Sequence, residues 1–484
     1  MLRYALSVIA LMLPLFSCTR WVELTATDTL LTQEAFDTRQ ELESALTGAY
    51  SLVRGVDLGG RNWLLLSDLM AGNASLNCCE FQEFTNLQAS PFNSQVEALW
   101  AASYRAVNQL NQILAAVDAV AEADPDFSVA EQERIKGEAL FLRAAIYFQL
   151  VQYFSLPYSE ENRDSMGVPL VLEPVLDKDA ISYPPRASIG AVYAQIEEDL
   201  QQSRKGLPDW APSGKPGKSA ATAYLAKVAF QQRRWVEADS WAEEVLNSYH
   251  QLAETPQDFF REEGSSEEIW CTAASADNPN YAGLNWAYSS AYVHPDLVEN
   301  GYQALLFPRH QATLEAIGYR AVDLRSDTGF LARAPLLSAD FTSTFKYEDG
   351  LELGDDAPLL RLAEILLIRA ETAARLGQVD EAIELLNQIR RRAFRIVESN
   401  GALLPDSGPW IDYQSQDFSP EALLAAIARE RRVELAFEGN YLHDLTRRRQ
   451  EVRPGVDWNH PRLRLPIPQG ELDANPNLAQ NPGY

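Results

Sequence analysis

RLAEILLIRAETAARLGQVDEAIELLNQIRRRA, Arg361 to Ala393, is the stretch whose reading decides the fold. Leu362, Ile365, Leu366, Ala370, Ala373 and Ala374 recur at three- and four-residue steps, which puts an apolar stripe on one face of a helix. Gly377 ends that helix. Asp380 is placed to cap a second one, in which Ala382, Ile383, Leu385, Leu386 and Ile389 repeat the pattern. Ala370 and Ala382 stand twelve residues apart across the turn, and side chains that small let the two helices approach as an antiparallel pair.

The same grammar occurs earlier, in SAATAYLAKVAFQQRRWVEADSWAEEVLNS, Ser219 to Ser248, where Ala226 and Ala238 have the same spacing. An offset of 144 lays Ala229 on Ala373, Trp235 on Val379 and Val245 on Ile389. One helical hairpin cannot bury its apolar face alone, whereas several stacked together can. The expected fold is therefore mainly α, a tetratricopeptide-like helical-repeat scaffold.

At 484 residues the chain has room for about three average domains or one large helical array. Its 46% hydrophobic and 10% aromatic content is globular and argues against disorder. Residues 1–17, MLRYALSVIALMLPLFS, carry Arg3 and then an apolar run from Tyr4 to Phe16, too short to span a bilayer but suited to an export signal. Leu15-Phe16-Ser17-Cys18 reads as a lipobox, with cleavage before Cys18 and lipidation of its thiol. Cleavage would remove one of 41 basic residues and no acid, leaving 40 against 68 and a net charge near −28. Such a surface repels phosphate backbones and anionic head groups, which excludes nucleic acid as a partner and leaves membrane attachment to the lipid.

The remaining cysteines, Cys78, Cys79 and Cys271, lack metal-ligand spacing; either Cys271 pairs with one of the adjacent two or all are free thiols. Histidines 250, 294, 310, 443 and 460 form no paired-ligand motif, so no metal, cofactor or catalytic base is expected. Gly217-Lys218-Ser219 imitates the end of a phosphate-binding loop, but Pro212 stands where the first glycine is needed, and Ser219 reads as a helix cap. Glu430, Arg431, Arg432 and Glu434, like Glu364, Arg369 and Glu371, have the helical spacing of structural ion pairs. Asp323 and Arg325 read as a further structural pair.

Along the chain, residues 18–37 form a polar tether after the 1–17 signal, and 38–484 form one large domain. Its helical scaffold occupies about 38–250 and 355–450, with an irregular, loop-rich insert carrying a few short strands at about 251–354. Residues 451–484 are proline-rich and are not expected to be helical.

Several segments carry a resemblance to a known family. They are Cys18 behind its signal; Leu99-Trp100 with Tyr104 and Asn108; Asp323-Leu324-Arg325; Lys346-Tyr347; RLAEILLIRAE at 361–371 with LNQIRRRA at 386–393; ERRVELAFEG at 430–439 with Asp444-Leu445; and the terminal LPIPQGELDANPNLAQNPGY. Together they resemble the SusD/RagB family of nutrient-binding lipoproteins of the Bacteroidetes. Two departures are Asn440, where family members often carry Arg, and the absence of an acidic cluster after Cys18.

The resemblance implies a lipid-anchored outer-membrane protein facing the exterior. It would capture an oligo- or polysaccharide and pass it to a SusC-like TonB-dependent barrel transporter, with no chemistry of its own. Sugar recognition needs flat apolar faces for C–H surfaces and amides for hydroxyls. Two irregular segments supply both: one with Asn73, Asn77, Phe81, Phe84 and Asn86, the other with Asn278, Asn280, Tyr281, Asn285, Trp286, Tyr288 and Tyr292. The rival readings are a peptide-binding member of the family and a helical glycoside hydrolase. The hydrolase needs two carboxylates roughly 5–10 Å apart across a cleft, and no pair of acids stands out.

Overall fold

The computed structural model describes residues 36–176, 181–261, 264–273, 283–302, 305, 313–326, 330–333, 342–347, 356–398, 401–404 and 408–484. The signal and Cys18 therefore lie outside the described residues. In the first half, α1 (Arg39–Arg54), α2 (Asn62–Ala71), α3 (Phe81–Thr85), α4 (Ser94–Ala123), α5 (Val129–Phe154), α6 (Ile189–Gly206), α7 (Lys218–Gln231) and α8 (Trp235–Leu246) follow in order. After α9 (Pro256–Arg261) and α10 (Leu284–Ser290), the second half supplies α11 (Leu362–Arg375), α12 (Val379–Ala393), α13 (Gly408–Ile411), α14 (Pro420–Glu434), α15 (Tyr441–Arg447) and α16 (Gln469–Ala474). Among the described residues no helix is long and apolar enough to cross a membrane.

Local chemistry sets where the helices begin. Thr38 and Ser128 each form a reciprocal capping box, with Glu41 and Glu131, satisfying orphan N–H groups at the starts of α1 and α5. Ser419 accepts from the Ala422 N–H with Pro420 at the first helical position, as the sequence predicts. Two capping expectations are corrected. Asp380 lies inside the first turn of α12, where its charge complements the helix dipole, and Gln378 holds the cap position without a side-chain bond. Ser219 likewise lies inside α7, and its hydroxyl meets His250 Nε2 at 2.8 Å.

The two hairpins exist as the alanine spacing requires. Ala226, Ala238, Ala370 and Ala382 are all fully buried, α7 packs on α8 and α11 on α12, and α8 packs on α11, so the pairs stack. Upstream, α4, α5, α6 and α7 each pack on the next. α2 is buried along its whole length and packed on α15, and the Tyr153 hydroxyl of α5 donates to its Trp63 carbonyl at 2.8 Å. Gly439 explains that closeness: its φ is +76°, and a Cβ there would stand 2.7 Å from the Trp63 carbonyl oxygen and 2.8 Å from Leu64 Cα.

The insert contributes short antiparallel strand pairs. β1 (Ala74–Ser75) pairs with β3 (Tyr292–Val293), β2 (Glu268–Thr272) with β7 (Ala357–Arg361), β4 (Tyr319–Asp323) with β8 (Phe394–Glu398), and β5 (Leu331–Arg333) with β6 (Thr342–Thr344). Three of these pairs stitch the insert to the helical frame. The expectation of a wholly non-helical C-terminus is corrected by α16, which fits because Pro468 lies at its cap and Pro476 beyond its end.

A buried ion-pair cluster joins the same parts. Glu434 accepts from Arg361 at 2.8 Å, from Arg325 at 3.0 Å and from Arg392. Arg325 also holds Asp323 at 2.8 Å and Glu430 at 2.6 Å, and Arg361 reaches Glu267 and Glu438 at 2.7 Å each. Burial opposes ionisation of Glu434, yet Arg392, Arg361 and Arg325 hold its carboxyl well below the usual range. Replacing Glu434→Ala leaves three buried cations short of an acceptor and is expected to destabilise the fold by about 3–5 kcal/mol. Arg391→Ala, which removes only the solvent-exposed pairs to Glu384 and Asp412, should barely move the transition. Urea unfolding of the two variants checks this: equal midpoint shifts would show that the buried cluster is not a special constraint.

Candidate ligand-binding face

The two aromatic segments, more than 200 residues apart in the chain, meet through the smallest sheet. Ala74 is opposite Val293 and Ser75 opposite Tyr292, and the His294 N–H donates to the Asn73 carbonyl at 2.9 Å just beyond. This register sets α3 beside α10. The Phe81 ring centroid lies 6.2 Å from that of Trp286 at an interplanar angle of 56°, and Phe84 stands 6.2 Å behind Phe81.

Arg61, at the start of α2, completes the bed. Its guanidinium lies 5.0 Å from the Phe81 centroid and 5.8 Å from that of Trp286, close enough for cation–π attraction to both rings. It is fixed by bonds to Gln95 Oε1 at 2.8 Å and Asn62 Oδ1 at 3.0 Å. Burial lowers its pKa to about 10, so it stays charged at neutral pH. Trp286 is held half-buried on this bed, and Tyr292 is half-buried at the start of β3. Asn77, ahead of α3, and Asn86, at its C-terminal cap, are exposed.

Other expected contact residues lie beneath the surface, and the expectation is corrected for them. Tyr288 is buried; its hydroxyl donates to Asp68 Oδ2 at 2.8 Å and its ring stacks on Tyr347 at 5.6 Å. Asn73 is fully buried, donating to Asp68 Oδ1 at 2.9 Å and accepting from Arg432 Nε at 3.1 Å. Phe84 is fully buried, and Phe81 at 4% exposure supports Trp286 from below. A buried amide or phenol already bonded to a core carboxylate has nothing left to offer a surface ligand. Tyr281, Asn278, Asn280 and the Asn285 side chain lie outside the described residues.

The charged residues singled out on the helices are indeed ion pairs. Glu364 meets Arg431 at 3.0 Å and Lys227 at 3.1 Å, Glu371 meets Arg447 at 2.8 Å, and Arg369 reaches Glu243 at 3.0 Å. Glu371, Glu438 and Asp444 are held below their usual pKa by guanidinium neighbours that overcome burial, the reverse of what a general acid requires.

Among the described residues the three cysteines are free thiols, so the proposed bond to Cys271 is not formed. Cys271 lies with Glu268 and Asp356, and its Sγ donates to Glu268 at 3.2 Å and to Asp356 at 3.7 Å. Burial and then these two carboxylates push its thiol well above the ordinary value. A cavity of about 250 Å³ lies nearby, away from Trp286, between α1, the turn at Ser213–Lys215 and the end of β2. Its lysine is already paired with Glu138 at 3.3 Å and lies over the Tyr50 ring at 3.6 Å.

The fold and this face define a helical-repeat scaffold that carries an aromatic side-chain platform. Residues 21–230 match a family model described as "Starch-binding associating with outer membrane", and residues 325–484 match the SusD family model. SusD-like protein P2 of Formosa agariphila is 25% identical with 100% of both chains covered, and SusD-like protein P25 of the same organism is 23% identical with 97% of both covered. Among solved structures, a SusD superfamily protein of Bacteroides thetaiotaomicron superposes with a TM-score of 0.76 at 22% identity, covering 92% of this chain and 100% of that one. A laminarin-binding SusD-like protein superposes with a TM-score of 0.67 at 21% identity, with the same coverage. The chain belongs to the SusD/RagB family.

Asp68 underlies the face, since both Asn73 and Tyr288 bond to it. Burial raises its pKa to about 6, against the lowering effect of those two hydrogen bonds. Because the folded pKa lies above the unfolded value of about 3.9, the native state binds the extra proton, and stability falls as pH rises between roughly 4 and 6. Two pKa units correspond to about 3 kcal/mol. Asp68→Asn should remove this falling limb, so the variant gains on the parent as pH rises through that window. A stability difference that stays constant from about pH 4 to 7.5 in urea titrations would refute the assignment.

Proposed function

We propose that the chain is a cell-surface glycan-binding lipoprotein of the outer membrane, anchored through Cys18. It captures an oligo- or polysaccharide at the face around Trp286 and delivers it to a SusC-like TonB-dependent transporter. The observation that carries this reading is Trp286 itself, half-exposed on a bed of Phe81 and Arg61 where two segments more than 200 residues apart in the chain converge. An indole held in this way offers a flat apolar surface to sugar C–H groups at little conformational cost. The family description of starch binding at the outer membrane and the laminarin-binding structural neighbour support the ligand class.

The site residues proposed to meet the ligand are Trp286 and Tyr292, with Tyr281 and Asn285 on the adjoining segment. Asn73, Phe81, Phe84 and Tyr288 serve as the support beneath them. An open platform buries little of its ligand, so affinity should fall roughly between micromolar and millimolar. The reading is non-catalytic: Glu364, Glu371, Glu434 and Asp444 are paired with neighbouring guanidiniums, and Asp68 is enclosed beneath the face by Asn73 and Tyr288.

Laminarin and starch fragments are the first probes, by calorimetry and by retardation in glycan-containing gels. Trp286→Ala should weaken binding by on the order of tenfold, equivalent to about 1.4 kcal/mol, without shifting the unfolding midpoint. Undiminished binding would remove Trp286 from the site. Binding of peptides with no response to any glycan, or steady release of reducing ends, would overturn the function itself.

A further inference from the structure

Cys78 and Cys79 are adjacent, both exposed, and lie just ahead of Phe81 in the loop between β1 and α3. The ends of this loop are pinned, because the Thr85 hydroxyl accepts from the Leu76 N–H at 3.1 Å and lies 3.3 Å from the Leu76 carbonyl. Glu80, next to the pair, is tied through its carbonyl to Asn93 Nδ2 at 3.2 Å. Between these anchors Cys79 takes a left-handed backbone, φ +53°, which few non-glycine residues adopt. The turn leaves the two adjacent thiols exposed side by side in the chain.

We propose that Cys78 and Cys79 are a redox-active pair that closes to a disulfide between neighbouring residues and thereby stiffens the loop that leads into Phe81 at the start of α3. One thiolate attacks a sulfur of an oxidant disulfide, displacing one thiol of the oxidant and forming a mixed disulfide. The second thiolate then attacks the cysteine sulfur of that bond and displaces the other thiol. Two protons pass from the cysteines and two electrons pass to the oxidant, which leaves as two thiols.

Consecutive Cα atoms across a trans peptide are about 3.8 Å apart, shorter than the roughly 4.4–6.8 Å that relaxed disulfides span. The closed ring is therefore strained, and strained exposed disulfides are the readily reduced kind. That chemistry suits a reversible setting of loop stiffness better than a permanent staple. Phe81 packs directly on Trp286, so the loop's stiffness is transmitted to the platform's underside.

The test treats the purified protein with oxidised glutathione, in the parent chain, Cys271→Ser and the double variant Cys78→Ser/Cys79→Ser. The expected result is a chain lighter by two hydrogen atoms and free of bound glutathione, in the parent and in Cys271→Ser but not in the double variant. Dithiothreitol should restore the mass. Backbone hydrogen exchange through residues 77–85 should slow on oxidation in the first two proteins and stay unchanged in the third. A stable glutathione adduct, a bond that requires Cys271, a linkage between two chains, or unchanged exchange after the bond has formed would each overturn the proposal. None of these readouts depends on whether a glycan binds, so the result stands apart from the proposed function.

Discussion

Glu434 is the point at which the molecule is held together. Its two carboxylate oxygens receive guanidiniums from three separate places: Arg325 just after β4, Arg361 at the end of β7 and Arg392 within α12. Glu267, Glu430 and Glu438 complete the cluster from the approach to β2, from α14 and from the turn that follows α14. Burying so many charges is costly, and an apolar cluster of the same volume would hold the parts together at least as firmly. What ion pairs add is direction. An insert with little apolar periodicity could slide on a greasy surface, whereas bidentate guanidinium contacts accept one arrangement.

That constraint explains which features could be read from the sequence. The hairpins at Ser219–Ser248 and Arg361–Ala393 were legible because packing on both neighbours imposes a helical period on every apolar residue, and the paired alanines mark the point of closest approach. The ion pairs on these helices were legible for a related reason, since surplus charge on a helix that must be buried needs partners. By contrast, β1 and β3 are two residues each, and two residues carry no pattern. Arg61 could not be assigned to the face for the same reason: nothing in its neighbourhood points to Trp286, more than 200 residues away.

The misplaced residues follow a similar logic. Tyr288 and Asn73 look like ligand contacts because an aromatic or an amide in an irregular segment is usually near solvent. Here both converge on Asp68, a partner 220 residues from Tyr288 that no local spacing could reveal. Ser219 failed as a cap because Gly217 already occupied that position and His250 offered the hydroxyl a buried partner. For Tyr288 and Ser219 a hydrogen bond to a residue distant in the sequence overrode the local preference, and Asn73 is held both by Asp68 five residues before it and by the distant Arg432, as expected where a buried polar group must be satisfied.

The geometry of the face therefore depends on elements far from it. Gly439, lacking a Cβ, lets the turn after α14 lie directly on the backbone of α2 at Trp63 and Leu64. α2 carries Asp68, Asp68 holds Tyr288 and Asn73, and these bracket the β1–β3 register that sets Phe81 beneath Trp286. Side chains alternate faces along a strand, so slipping that register by one residue would turn Tyr292 to the opposite side and withdraw α10 from α3. Two strands of two residues cannot resist such a slip alone. The resistance comes from the helix beneath, whose position is fixed by the same turn that carries Glu438 into the ion-pair cluster. The frame and the platform are thus one mechanical unit: the charges that orient the insert also set the angle at which the indole meets solvent.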